Sequence, residues 1–226
     1  MEIKYLGHSC LAINIDSFKI LVDPFISLNP LAKDIDINSI EADFILLTHA
    51  HYDHIIDFES IAKRTNALLI SNHEIVTYYE KQDIKGHAMN PGGSFKFPFG
   101  KLKMVHADHS SSFPDGTYGG NPVGFVIQDN MGKTIYISGD TALTLEMQLI
   151  PKFFKLDLAI LSIGGNFTMD PEEALIASDF IKCDHIMGVH FDTVPLIEIN
   201  HEKVIQQFQE NNKTLILPTI GQVIDI

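Results

Sequence analysis

Phe44-Ile45-Leu46-Leu47-Thr48-His49-Ala50-His51-Tyr52-Asp53-His54 sets a continuous apolar run directly against three imidazoles and a carboxylate. Phe44–Leu47 reads as a strand buried on both faces, the kind a parallel sheet contains. A strand interior has no use for the polarity that follows. Imidazole nitrogen and carboxylate oxygen are the usual ligands of zinc and related divalent ions. If His49 and His51 stay extended, their side chains point the same way and can grip one ion, with Asp53 and His54 one turn further on reaching a second. A solvated polar loop is the bland alternative. By chance such a string arises in roughly two of a thousand chains of this composition, so it is read as a metal motif.

Outward from that stretch the pattern alternates. On the N-terminal side, Glu2–Leu6, Cys10–Ile15 and Lys19–Val22 are short β-prone runs split by turn chemistry. On the C-terminal side, the pattern predicts a helix over Asp57–Lys63, a strand at Ala67–Ile70 and a helix over Glu74–Lys81. Strands follow at Leu102–His106, Val123–Ile127 and Thr134–Ile137, with a Ser-, Gly- and Pro-rich surface loop from His109 to Gly120. The last third reads as helix Thr144–Phe154, strand Leu158–Leu161, helix Pro171–Ile181 with Pro in its first turn, strand His185–Val189, helix His201–Glu210, and strands Leu215–Leu217 and Val223–Ile226. Two β-rich runs, each followed by helices, predict two packed sheets with helices outside, in one α/β domain over residues 1–226.

Composition bounds the function. The chain has 226 residues, 45% of them hydrophobic, enough for one substantial core. Sixteen basic against 29 acidic residues give a net charge of −13, which repels phosphate backbones and makes nucleic acid a poor partner. Cys10 and Cys183 match no CxxC spacing and read as buried free thiols of a reducing cytoplasm. No secretory signal and no apolar run near the ~20 residues of a membrane helix is visible.

The His49–His54 string resembles the signature of the metallo-β-lactamase superfamily, and the resemblance runs along nearly the whole chain. Ala107-Asp108-His109-Ser110-Ser111, Ser138-Gly139-Asp140-Thr141 and Gly188-Val189-His190-Phe191 occur in the family's order. The chain is most similar to metal-dependent hydrolases near the ascorbate-phosphate lactonase branch, through Leu6-Gly7-His8-Ser9, Asp23-Pro24-Phe25, His109-Ser110-Ser111, Tyr118-Gly119-Gly120 and Gly164-Gly165-Asn166-Phe167-Thr168-Met169. Asp170 stands where that pattern has a small residue.

The resemblance implies a four-layer αββα sandwich. It also implies one ion held by His49, His51 and His109, another by Asp53, His54 and His190, and Asp140 between them. Asp53, His54 and Asp140 form the implied catalytic set. Two divalent ions, zinc first with Mn2+, Fe2+ or Ni2+ also suited, would lower the pKa of a bridging water toward ~7 and give a metal-bound hydroxide.

Weighed singly, Asp140 between Gly and Thr also suits helix capping, and His190 at a strand end also suits a core histidine. His109 has a rival in His106, which alternates with Leu102 and Met104 onto one strand face and is expected to be packed there. Asp23 and His8, both at strand ends near turns, are candidates for orienting a metal-bound histidine and for contacting substrate, respectively. His73, His87, His185 and His201 read as surface or packing residues. The expected activity is hydrolysis of a small ester, lactone or phosphoester, with a metal-dependent nuclease or phosphodiesterase and a non-catalytic metal sensor as the rival readings. A homo-oligomer is compatible with the open mouth of this fold.

Overall fold

A computed structural model describes all 226 residues. β1 (Glu2–Gly7), β2 (Cys10–Ile15), β3 (Phe18–Val22), β4 (Phe44–Leu46), β5 (Leu68–Asn72), β6 (Gly86–Met89) and the C-terminal β14 (Val223–Asp225) make one seven-stranded sheet, ordered β14-β1-β2-β3-β4-β5-β6. The other takes β7 (Ser94–Phe97), β8 (Gly100–His106), β9 (Val123–Asp129), β10 (Thr134–Ile137), β11 (Leu158–Ser162), β12 (His185–Val189) and β13 (Thr214–Ile216), ordered β13-β12-β11-β10-β9-β8-β7.

Three apolar clusters define the layers. Ile3, Leu11, Ile13, Leu46, Leu102, Met104, Phe125 and Ile160 fill the space between the sheets. The outer face of the first sheet packs on α1 (Tyr52–Ile55), α2 (Phe58–Thr65) and α3 (His73–Glu80) through Ile45, Leu47, Phe58, Ile61 and Val76. The outer face of the second packs on α4 (Pro171–Phe180), α5 (His201–Glu210) and a 3-10 helix at Leu145–Lys152 through Ala159, Leu161, Ala174, Phe208 and Ile150. Strands buried on both faces explain the unbroken apolar runs at Phe44–Leu46 and Leu158–Leu161. The result is the αββα sandwich. No helix is long and apolar enough to cross a membrane.

Strand direction decides where the polar strand ends gather. β1 is antiparallel to β2 and β2 to β3, while β3 and β4 are parallel, so β1, β3 and β4 end on one edge. The same parity runs through β8, β9 and β10 and the parallel β11 and β12, so β8, β10 and β12 also end together. Backbone bonds join the two edges: Val123 N donates to Thr48 O at 3.0 Å, and His190 N to His8 O at 2.9 Å. Gly139, at φ +62°, permits this closeness, because a Cβ there would sit 2.9 Å from Thr48 Cβ.

The structure corrects three expectations. The segment read as a helix over Thr144–Phe154 is a 3-10 helix with Pro151 inside it. Proline removes the backbone N–H that a continuous α-helix needs at that position. Two further strands, β6 and β7, are four residues each and form an edge of each sheet, where most of their residues are at least partly exposed and the apolar run is too short to mark a strand. The His109–Gly120 loop is not wholly superficial, since Ser111 and Phe113 are buried and the Phe113 ring stacks on Tyr78 at 3.7 Å.

Asp170 has a local reason for being other than small. It caps α4, accepting from Glu173 N at 2.9 Å while Asp170 N donates to Glu173 Oε2 at 3.2 Å, with Pro171 in the first turn. Asp170→Ala is therefore expected to lower unfolding free energy by about 1 kcal/mol without changing bound metal. Denaturant melts with metal analysis check this, and an unchanged midpoint would remove the capping account.

Candidate metal centre

Each candidate residue follows a strand end on the shared edge: His8 after β1, Asp23 after β3, His49 to His54 after β4, His109 after β8, Asp140 after β10 and His190 after β12. His51 is the extended residue that begins α1, and that single turn carries Asp53 and His54 round to face the second sheet. His8, Asp23 and His190 all take left-handed backbone conformations, φ +56°, +43° and +57°.

The side chains converge into two linked groups. His49 Nε2 lies 3.0 Å and His109 Nε2 3.3 Å from His51 Nδ1, so three ring nitrogens face one point. His8, Asp53, His54 and His190 make the second group, with donor atoms within 4.8 Å of one another. Asp140 lies between: its Oδ2 is 3.0 Å from His190 Nε2, 3.4 Å from His54 Nε2, 3.8 Å from His109 Nε2 and 4.0 Å from His49 Nε2. All seven sequence-predicted ligands thus come together, and His8 and Asp23 join them.

Hydrogen bonds behind the rings fix which nitrogens are free. Thr48 Oγ1 donates to Asp23 Oδ2 at 2.7 Å, which leaves it as acceptor for His49 Nδ1–H at 3.0 Å. His54 Nδ1 donates to Asp23 Oδ2 at 2.9 Å. In both rings Nδ1 is thus engaged from behind, and Nε2 is the nitrogen that faces inward as the candidate ligand atom. His51 Nε2 stands 3.2 Å from Ser110 Oγ, leaving Nδ1 for the first group. Ser111, buried beneath, accepts from Ala50 N and donates to Gly119 O. Gly119 presses on Ala50 Cβ, so any side chain there would push the motif loop aside.

The donor set fits divalent metal on its own chemistry. His54 Nε2, His190 Nε2 and Asp140 Oδ1 are buried and have no hydrogen-bond partner, a costly arrangement unless a ligand completes it. Charge tells the same story. Burial disfavours the charged forms of His54 and His190, yet Asp140 and its neighbouring carboxylates outweigh it, raising His54 well above the usual imidazole range and His190 to about 9. Burial also opposes ionisation of Asp53 and Asp140, but the surrounding histidines hold both well below the usual carboxylate range. Burial pushes His49, His51 and His109 down, leaving them neutral.

Some roles differ from expectation. His8 is buried, with Nδ1 2.9 Å from Thr193 Oγ1 and Nε2 3.0 Å from Asp53 Oδ2, so it does not face a substrate. His106 is exposed at the end of β8 rather than packed with Leu102 and Met104, because the strand runs past the core before its last residue. His73, His185 and His201 are exposed, and His201 pairs with Asp192 at 2.6 Å. Thr48 and Thr193 were not assigned from sequence. Thr48 was legible in principle, as a hydroxyl between a buried strand and a histidine; nothing in the sequence marks Thr193.

Two outcomes follow. His109→Ala should lose bound metal, whereas His106→Ala should keep it and change stability by no more than about 0.5 kcal/mol. Metal stoichiometry and melting curves decide, and metal loss from the His106 variant alone would reverse the assignment. Because His54 and His190 carry protons that an ion must displace, metal binding should release protons, and affinity should rise from about pH 6 to about pH 9. Calorimetry in buffers of different ionisation enthalpy measures this, and pH-independent affinity would contradict it.

Comparison with known proteins agrees with this geometry. Residues 2–190 match the family model described as a beta-lactamase superfamily domain. A UPF0173 metal-dependent hydrolase of Flavobacterium johnsoniae is 60% identical over 226 residues, covering 100% of both chains. One from Christiangramia forsetii is 55% identical over 227 residues, again covering 100% of each. Among solved structures, Igni18, a metallo hydrolase of the archaeon Ignicoccus hospitalis, superposes with a TM-score of 0.90 at 32% identity, covering 99% of this chain and 97% of that one. An isothiocyanate hydrolase from Delia radicum gut bacteria shares the fold, with a TM-score of 0.77 at 17% identity over 100% and 99% of the two chains. The chain belongs to the UPF0173 metal-dependent hydrolase family of the β-lactamase superfamily.

Proposed function

We propose that this chain is a hydrolase whose paired His/Asp centre holds two divalent ions, zinc first among them, and cleaves a small ester, lactone or phosphoester. The observation that carries the reading is the position of Asp140 Oδ2, within 4.0 Å of histidines from both groups, at the floor of an open cavity of about 400 Å³. Bound divalent ions supply Lewis acidity toward a carbonyl or phosphoryl oxygen and lower the pKa of a coordinated water toward neutrality.

The protein's own residues divide the remaining work. Asp140, whose side chain is 3% exposed, sets the spacing between the groups and stays out of proton traffic. Asp53 is 37% exposed and lines the cavity, so it is placed to orient the attacking water or return a proton to the leaving group. Ser110 offers a hydroxyl and Phe167 an apolar wall to the rest of the substrate. No Lys or Arg lines the cavity, so a phosphate would find no guanidinium or ammonium donor there. That ranks neutral esters and lactones above phosphoesters. The net charge of −13 further disfavours nucleic acid.

A panel of esters, lactones and phosphodiesters on metal-loaded protein tests the reading. Asp140→Ala should reduce turnover by at least about 100-fold and lower metal content. Full turnover by that variant at unchanged metal content would remove Asp140 from the centre.

A further inference from the structure

His8 is held from every side, yet no step above uses it. It ends β1 in a left-handed conformation, φ +56°, and its carbonyl accepts from His190 N at 2.9 Å. Its ring lies 4.0 Å from the His190 ring and meets Phe25 edge-on at 5.4 Å. Nδ1 is 2.9 Å from Thr193 Oγ1, and Nε2 is 3.0 Å from Asp53 Oδ2.

A neutral imidazole has one proton for two nitrogens. The Asp53 carboxylate only accepts, so the proton belongs on Nε2, and Nδ1 must accept from Thr193. Thr193 is able to supply it, since the only other acceptor near its hydroxyl, Phe191 O, is more distant at 3.4 Å. The result is a directed chain: Thr193 O–H to His8 Nδ1, and His8 Nε2–H to Asp53 Oδ2.

Asp53 needs such a hold. It is the most exposed member of its group and sits on a helix of a single turn. Its Oδ2 nevertheless stands 3.7 Å from His190 Nε2 and 3.9 Å from His54 Nε2. An unrestrained aspartate there would turn its carboxylate to water and leave His54, His190 and the shared Asp140 to hold an ion without it.

We infer that His8 is a positioning residue that fixes Asp53 against His54 and His190, and that Thr193 keeps the required proton on His8 Nε2. This rests on the proposal that those three residues hold the second ion. It sets His8 apart from the ligands, although its ring nitrogen lies close enough to theirs to be mistaken for one. It also predicts a selective defect, because His8 touches none of His49, His51 and His109.

The test is cobalt(II) titration of the full-length chain, followed by visible absorption and calorimetry, for the wild type and for His8→Ala, His8→Gln and Thr193→Val. The wild type should take two ions. His8→Ala should bind the second ion ~10- to 100-fold more weakly, with the first ion's affinity and spectrum unchanged. Glutamine carries an N–H near the place of Nε2, so His8→Gln should recover to within about threefold of wild type. Thr193→Val should fall between. Equal affinities in the wild type and His8→Ala would overturn the inference. Loss of a whole ion from both His8 variants would also overturn it, by making His8 a ligand. A wild type that takes only one ion would sink the paired-centre reading itself, and the inference with it. Should His8→Ala fail to fold, Thr193→Val decides, since an unchanged second-ion affinity there refutes the relay.

Discussion

The carboxylate of Asp23 is the contact on which the centre's geometry depends. It accepts Thr48 N at 2.8 Å, Thr48 Oγ1 at 2.7 Å and His54 Nδ1 at 2.9 Å. One buried group thereby ties the end of β3 to the end of β4 and decides the tautomer of a histidine in each group, His54 directly and His49 through Thr48. A carboxylate is suited to this because it accepts several bonds at once and donates none, so it cannot favour the wrong ring nitrogen. Its backbone N–H also bonds Leu46 O at 3.1 Å, so the left-handed bend at Asp23 is held by the neighbouring strand.

That local order is useful only because the sheets bring the right ends together. The parallel pairs β3–β4 and β10–β11–β12 end on one edge, and an even number of antiparallel steps returns β1 and β8 to the same direction. A one-residue slip in any of these registers would exchange the core and outer faces of the strand and move its terminal ligand away. The between-sheet cluster enforces the register, since Leu11, Val22, Leu46, Met104 and Val189 all place side chains in it. Packing of apolar side chains thus determines where the imidazoles stand.

Much of this was legible in the sequence where residues carry their own signal. The His49–His54 string and the doubly buried strands rest on composition and period, whereas His109, Asp140 and His190 stand out only through the resemblance to the metallo-β-lactamase pattern. β6 and β7 escape because four-residue edge strands carry too short a pattern to distinguish from loop, and the 3-10 segment because its apolar spacing resembles that of an α-helix. His106 was misjudged because strand alternation does not reveal where the sheet leaves the core. The roles of His8 and Thr193 were hidden for a stronger reason. They are 185 residues apart, and only the meeting of β1 with the segment after β12 makes them partners.

The centre also shows why a functional site of this kind is a strained possession. Six histidines and two aspartates crowd one edge, and several of their polar atoms are buried without partners. His54 Nε2 and His190 Nε2 stand 3.4 and 3.0 Å from Asp140 Oδ2, yet neither achieves hydrogen-bonding geometry with it. On the proposed reading, divalent ions would supply positive charge without a proton and a partner for each inward-facing lone pair. The division between buried Asp140 and half-exposed Asp53 then acquires a physical reason. On the proposed mechanism, the carboxylate between the groups is dry and holds them at a fixed spacing, the one that would handle protons reaches the cavity, and a carboxylate with that freedom needs a second residue to hold it still.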